Sequence, residues 1–171
     1  LCTNMLKGQS MSADILIGLE DQTLDQVKKS IDLAIAGGVN HLSVYALTPE
    51  VGTPIYSDYL NGLLLGDDEV AEIYDGVVAY LKEKGFDRYE VSNFCKDGHY
   101  SRHNYNYWDR GEYIGVGVSA SSFMENRRFT NSFKIDEYMN AIIFNKRPEI
   151  SSDMIEGDDA KFEFTMLGLR T

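Results

Sequence analysis

Cysteine is scarce in this sequence, which has only Cys2 and Cys95 among its 171 residues. Two cysteines so far apart exclude a disulfide framework and a closely spaced cysteine cluster for a metal. No motif of a thiol enzyme surrounds Cys95, so we interpret it as a small buried residue and not as a nucleophile. Any metal cluster would therefore have to take its ligands from elsewhere.

The sequence also has few basic residues and no long apolar run. The chain has 16 Lys and Arg against 27 Asp and Glu, a formal net charge of -11, which disfavours nucleic acids and anionic membranes as partners. No apolar run approaches the roughly 18 residues that span a bilayer, and the first residues lack the order of a signal peptide. The composition predicts one soluble, cytoplasmic globular domain with a sizeable core.

The apolar pattern alternates between the periods of strands and helices. Residues 13–19 form a nearly continuous apolar run that ends near a glycine, and this pattern predicts a parallel strand that is buried on both faces. Thr23 precedes apolar residues at helical spacing, Gln26 follows three positions later, and two glycines mark the far end. Similar patterns predict strands over 41–47, 87–92 and 113–120, a short hairpin strand near Phe129, and helices over 67–85, 135–144 and 160–169.

Strands that alternate with helices predict an α/β fold, in which a parallel sheet carries outer helices as in doubly wound folds and (β/α) barrels. Ligands of such folds bind where the strands end. The loops at these ends are predicted to be residues 18–22, 48–53, 92–96 and 119–122.

Two of these regions carry carboxylates with two interpretations each. Asp14 lies inside an apolar strand, where an ionised carboxylate needs a partner. It would either bind a ribose or an amine of a cofactor, or be satisfied by the backbone or a nearby arginine. Glu50 follows the next strand in a loop with two prolines, and it would either hold a ligand or belong to a plain connection.

Residues 98–108 are the most unusual stretch, with two histidines, an arginine, asparagines and several aromatic residues. Aromatic planes and a neutral imidazole suit a flat conjugated ligand such as haem or a porphyrin. The alternative is a packed loop in which His103 bonds to the backbone.

Several segments, in this order and at these separations, resemble the coproporphyrinogen III oxidase-like radical-SAM family. Glu20 stands where the family pattern of the first strand and turn has a proline. The string His103-Asn104-x-x-Tyr107-Trp108 resembles the mark of its HemW-type haem chaperone branch. The matching segments are residues 12–23, 41–45, 50–54, 85–86, 89–94, 98, 101–108, 113–120 and 166–170.

The resemblance implies a partial (β/α) barrel that binds S-adenosylmethionine and a [4Fe-4S] cluster, with haem carried by the chaperone branch. It implies that Asp14 contacts S-adenosylmethionine, that Thr48 and Ser121 approach it through their backbone, and that His103 is the haem ligand. Residues 1–125 would be the later half of the barrel, and residues 126–171 a hairpin and helical extension leading to a further C-terminal domain.

One departure from the family pattern is an absence. The C-x-x-x-C-x-x-C pattern that holds the family's cluster does not occur in this sequence, and the chain opens on Leu1. We therefore expect a fragment that has no catalytic residues and no cluster ligands of its own, binds no cofactor stably and has no radical-SAM activity alone. A strand edge left open by the missing part would be exposed or would pair with another chain.

Three functions remain open from the sequence. The first is a fragment of a HemW-like chaperone that binds haem and transfers it to a haem-accepting protein. The second is a fragment of an oxygen-independent coproporphyrinogen III oxidase, which decarboxylates its substrate by radical chemistry in porphyrin biosynthesis. The third is a non-catalytic α/β domain used for packing or partner binding.

Overall fold

A computed structural model describes residues 10–170 of the chain. The described residues form two compact units, 10–101 and 102–170. Among residues 10–170, no helix combines the length and the apolar composition that crossing a bilayer requires.

The first unit is a four-stranded sheet covered by helices on one face. Its strands follow the order β1-β2-β4-β3, in which β1 and β2 are parallel and β4 is antiparallel to both of its neighbours. The elements are β1 (Ser12–Ile17), α1 (Leu24–Ala36), β2 (His41–Ala46), α2 (Pro54–Leu60), α3 (Asp67–Glu83), β3 (Asp87–Arg88) and β4 (Asn93–Cys95).

Local sequence signals explain the two long helices. Thr23 and Gln26 form the predicted capping box, in which the Gln26 N–H donates to the Thr23 hydroxyl and the Thr23 N–H donates to the Gln26 side chain. Helix α3 begins with three carboxylates, which its positive N-terminal end stabilises. Both helices bury an apolar stripe against the sheet. The core consists of Ile17, Val27, Ile31, Leu42, Val44, Ile73, Val77, Leu81, Phe86 and Phe94.

The α/β class is confirmed, but the sheet is not uniformly parallel as predicted. The segment predicted as one strand over 87–92 is a two-residue strand followed by a turn, and the chain returns antiparallel as β4. The turn is stabilised by Glu90, whose carboxylate accepts hydrogen bonds from the Ser92 N–H at 2.8 Å and the Asn93 amide at 2.6 Å. A turn of this kind reverses the chain within four residues, so no crossover helix is needed.

The second unit combines a three-stranded antiparallel sheet with three helices. Its sheet order is β5-β6-β7, and the predicted hairpin near Phe129 is confirmed as β5–β6. The predicted helices over 135–144 and 160–169 are also confirmed, although the last one begins three residues earlier. The elements are α4 (Arg102–Trp108), β5 (Ser121–Met124), β6 (Arg127–Asn131), α5 (Ile135–Ile143), β7 (Glu149–Met154) and α6 (Gly157–Gly168).

The strand predicted over 113–120 does not form. Only Tyr113 makes a bridge, to Phe123, and the regular strand begins at Ser121. Gly117 and Ser119 both have positive φ, at 112° and 62°, which breaks an extended backbone. The glycines that we predicted within a strand therefore lie in a bend that precedes β5.

Candidate functional site

Asp14 lies on the face of the first sheet that points away from the helices. Its neighbours Ala13 and Ile15 pack against the apolar core, so alternation along β1 places Asp14 on the opposite face, where it is exposed. The prediction that this strand is buried on both faces is therefore wrong for β1, since only one of its faces is covered in the described part of the chain.

A row of polar residues continues from Asp14 across the sheet. Asp14 pairs with Ser43 on β2, and Ser43 pairs with Asn93 on β4, so the three side chains project from the same face. Ser43 and Asn93 are buried, and the Asn93 side-chain oxygen is enclosed without a hydrogen-bond partner among residues 10–170. This face thus carries an exposed carboxylate beside a buried hydroxyl and a buried amide, whose oxygens all accept hydrogen bonds.

A buried histidine next to this row was missed from the sequence. His41 Nδ1 lies 2.8 Å from the Ser12 hydroxyl, and Nε2 lies 2.6 Å from the hydroxyl of Tyr89. The Tyr89 oxygen also accepts the Ser101 N–H at 3.1 Å. Burial lowers the pKa of His41, while the negative charge of Asp14 opposes that shift. A neutral imidazole therefore links β1 to the end of the first unit.

Thr48 lies two residues after the end of β2, in the loop predicted at the ligand face. It is exposed, and it lines a cavity of about 310 Å³ together with Gly18 and Tyr59. The Glu50 carbonyl accepts hydrogen bonds from the Thr53 hydroxyl and N–H, which makes the loop a turn at the start of α2. The structure thus gives Glu50 a backbone role, and its side chain is exposed.

His103 lies on α4 in the second unit, where it is exposed. Its Nε2 is 2.9 Å from the Tyr107 hydroxyl, and the two rings meet edge to face with centroids 4.7 Å apart. Tyr107 contacts Tyr113 in the same way, also at 4.7 Å. The partner of Nε2 is thus a tyrosine one helical turn away.

Ser121 begins β5, and its hydroxyl lies 3.0 Å from that of Thr130 on β6. The backbone of Ser121 is approached closely by Gly115, where an added Cβ would lie 2.2 Å from the Ser121 carbonyl oxygen. This contact explains one glycine of the 113–120 segment, since any larger residue would collide with backbone.

An ionic cluster on the second sheet was also missed. Glu163 on α6 accepts from Arg110 Nε at 3.0 Å and from an amino group of Arg128 at 2.6 Å. Both guanidinium groups lie close to the ring of Phe123, which is buried. No spacing in the sequence signals this cluster, because its members come from a loop, two strands and a helix.

The described residues contain no group of three or more His, Cys, Asp and Glu side chains that would hold a metal ion. Cys95 is buried and has a free thiol, and burial together with the charge of Asp87 raises its pKa. A protonated buried thiol is a poor metal ligand. Cys2 lies outside the described residues.

Comparison with known proteins links these features to a family. No family model matches the chain. The haem chaperone HemW of Lactococcus lactis is 30% identical over 164 residues, which are 95% of this chain and 43% of that protein. HemW of Bacillus subtilis is 31% identical over the same shares. A mouse mitochondrial protein named radical S-adenosyl methionine domain-containing protein 1 is 36% identical over 112 residues, 64% of this chain and 25% of its own length.

A solved structure supports the fold. The chain matches coproporphyrinogen III oxidase (HemN) from Escherichia coli, a radical SAM enzyme, with a TM-score of 0.75 and 16% identity over 95% of this chain and 40% of that one. The chain spans less than half the length of these HemW proteins and of HemN. Over nearly its whole length, the chain is thus homologous to one segment of the HemW haem chaperones.

Proposed function

We propose that this chain is the segment of a HemW-like haem chaperone that binds haem, with His103 as the iron ligand. The observation that carries the proposal is the exposed imidazole of His103, set against Tyr107 in a segment that is homologous to proteins named haem chaperones. A neutral imidazole is a common ligand of haem iron, and aromatic rings provide contact area for the porphyrin plane.

The exposure of His103 fits carriage of haem better than chemistry on it. A single exposed ligand leaves the opposite face of the porphyrin open, so a haem-accepting protein can reach the iron. Ligation through Nε2 requires the hydrogen bond between Tyr107 and His103 to break, and this bond is re-formed on release. The exchange of one contact for another keeps binding reversible, which a chaperone needs.

The proposal extends to S-adenosylmethionine in the intact protein. Asp14, with Ser43 beside it, presents hydrogen-bond acceptors that suit the hydroxyls of a ribose or an ammonium group. Thr48 and Ser121 are further contacts in this proposal, through their backbone. When bound beside a reduced iron–sulfur cluster, this cofactor supplies a radical.

The residues of this chain do not fit the [4Fe-4S] cluster itself. Such clusters are held by Cys thiolates, and Cys95 is a single buried thiol with a raised pKa. In the barrel that we propose, residues 1–125 supply the later strands and helices, and residues 126–171 extend from it.

The test of the haem function is a titration of the chain with haem, followed by the Soret band. We expect a Soret shift that is lost in His103→Ala and retained in His99→Ala, a matched control four residues earlier. A shift that survives His103→Ala would contradict the role of His103. No shift in any of the three proteins would leave the α/β packing domain as the better interpretation.

Binding of S-adenosylmethionine to this chain alone should be undetectable or weak by calorimetry. The reason is that the sequence has no cysteine pattern for the cluster that fixes the methionine end of the cofactor. Micromolar binding would show that the polar sheet face is sufficient, and it would contradict this expectation.

A further inference from the structure

The cluster around Phe123 holds more cationic groups than its own carboxylate can satisfy. The guanidinium carbons of Arg110 and Arg128 lie 5.4 Å and 5.1 Å from the centre of the Phe123 ring. Both arginines share one partner, Glu163, each through one of its two oxygens. Two positive charges are thus held by one carboxylate in a chain whose net charge is -11.

Arg110 is the less satisfied of the two arginines. A guanidinium has five N–H groups, and among residues 10–170 the side chain of Arg110 donates only its Nε–H, to Glu163. Its Nη2 is enclosed and has no hydrogen-bond partner among residues 10–170. A charged donor enclosed without an acceptor is unfavourable, which points to an acceptor that completes the site.

The other charged and polar groups near the cluster do not supply that acceptor. Asp153 lies directly across the sheet from Arg128, yet it is exposed and forms no ion pair in the described part of the chain. Burial lowers the pKa of Arg128, but Glu163 and Tyr113 together raise it above its ordinary value. Neither Asp153 nor Tyr113 accepts a hydrogen bond from Arg110 among residues 10–170.

The cluster is connected to His103 by direct contacts. The His103 ring contacts Tyr107, and Tyr107 contacts Tyr113. The Tyr113 ring lies 6.3 Å, centroid to centroid, from the Phe123 ring, over which Arg128 packs. Along the chain, His103 lies in the first turn of α4, and Arg110 lies two residues beyond the end of this helix at Trp108.

We propose, on the basis of the haem function above, that Arg110 and Arg128 bind the propionate carboxylates of the haem whose iron His103 ligates. A guanidinium matches a carboxylate with two parallel N–H donors, and the free N–H groups of Arg110 provide them. The carboxylate supplies the acceptor that Nη2 lacks. The ring of Phe123 keeps both guanidiniums in place while Glu163 holds their other edges.

The experiment compares haem with its dimethyl ester, in which both propionates are capped and uncharged. We expect the unmodified chain to bind haem at least about tenfold more tightly than the ester, because charge-assisted hydrogen bonds are lost. Arg110→Gln should weaken haem binding by a similar factor and leave ester binding unchanged. Arg127→Gln is the matched control, since Arg127 pairs with Glu149 and should not alter the haem-to-ester ratio.

The outcomes separate this inference from the haem function itself. A Soret shift that depends on His103, combined with equal affinities for haem and ester, would overturn the propionate site alone. A shift independent of His103 would overturn the role of His103 and this inference with it, and no shift would overturn the haem function as well. If Arg110→Gln does not fold, the comparison of haem with ester on the unmodified chain still decides, and Arg110→Lys tests the need for a paired donor.

Discussion

Different forces stabilise the interiors of the two units of this chain. The first unit buries a continuous apolar core that joins β1, β2, β4, α1 and α3. In the second unit, Phe123 is the one buried apolar residue among those described, and the other buried side chains are polar. Those polar residues are Ser122, Asn131 and Ser132.

The second unit replaces apolar burial with ion pairs and hydrogen bonds. Glu163 holds two arginines, Glu149 pairs with Arg127, and the Asn131 amide donates to the Gly117 carbonyl at 2.9 Å. Ion pairs and hydrogen bonds depend on direction, whereas the hydrophobic effect does not. Salt also weakens the attraction between the charges of an ion pair. The proposed haem ligand therefore lies in the unit whose packing depends more on ionic conditions.

The largest expected effect is a cavity in the first unit. Leu81 is fully buried in the core, and Leu81→Ala should destabilise the first unit by about 2–5 kcal/mol. The free energy of unfolding of each unit is measured by unfolding in urea, with amide hydrogen exchange as the signal. The exposed Leu33→Ala is the matched control and should change little. If Leu81→Ala lowers the free energy of unfolding no more than Leu33→Ala does, the apolar core is not the main source of stability in this unit.

Removal of the shared carboxylate should give the second largest effect. Glu163→Gln leaves Arg110 and Arg128 without their common partner, so we expect a loss of about 1–3 kcal/mol in the second unit. This loss of stability should be smaller in 1 M salt, because screening weakens the ion pairs of Glu163 in the unmodified chain. Glu137→Gln, which breaks an exposed pair with Lys134, should have a much smaller effect in the same unfolding experiment. An unchanged loss at high salt would contradict the ionic explanation.

The close approach of Gly115 to the backbone of Ser121 should exclude any larger residue at position 115. Gly115→Ala would place its Cβ against the Ser121 carbonyl, and we expect a loss of roughly 1–3 kcal/mol in the second unit, measured by thermal unfolding. Gly168→Ala, at the end of α6, meets nothing within 4 Å and should be tolerated. Equal effects of the two substitutions would show that the bend before β5 relaxes freely.

The smallest effect concerns pH and the first unit. The pKa of His41 in the folded chain lies below its ordinary value of 6.5, so protonation favours the unfolded chain. The contribution of His41 to stability is therefore complete above pH 6.5 and declines as the pH falls through the folded-state pKa. NMR titration of the His41 ring and unfolding at several pH values measure this. A His41 pKa above 6.5 would contradict the neutral network with Ser12 and Tyr89.

Local signals predicted most elements, because they depend on neighbouring residues. The capping box at Thr23, the acidic start at Asp67 and the helical spacings needed no tertiary context. The antiparallel return of β4 was not predicted, since it depends on the turn that Glu90 stabilises. The bend over 113–120 was missed because apolar residues and glycines fit a strand equally well until the backbone angles are known.

The candidate site was only partly predictable for the same reason. His103 and its aromatic neighbours are adjacent in sequence, so their contacts follow from helical spacing. The hydrogen bonds of His41 to Ser12 and Tyr89 join residues up to 48 positions apart. Arg110 and Glu163 are 53 positions apart. No local pattern encodes such pairs, and only the fold brings them together.

The two-residue turn between β5 and β6 bears on how the second unit folds. Glu125 and Asn126 both have positive φ, at 51° and 59°, which is the backbone of a tight hairpin turn whose twist matches the strands. A hairpin closed by two residues forms within microseconds, while the parallel pairing of β1 and β2 must wait for an intervening helix. We therefore expect the hairpin that contains Phe123 to form before the pairing of β1 with β2.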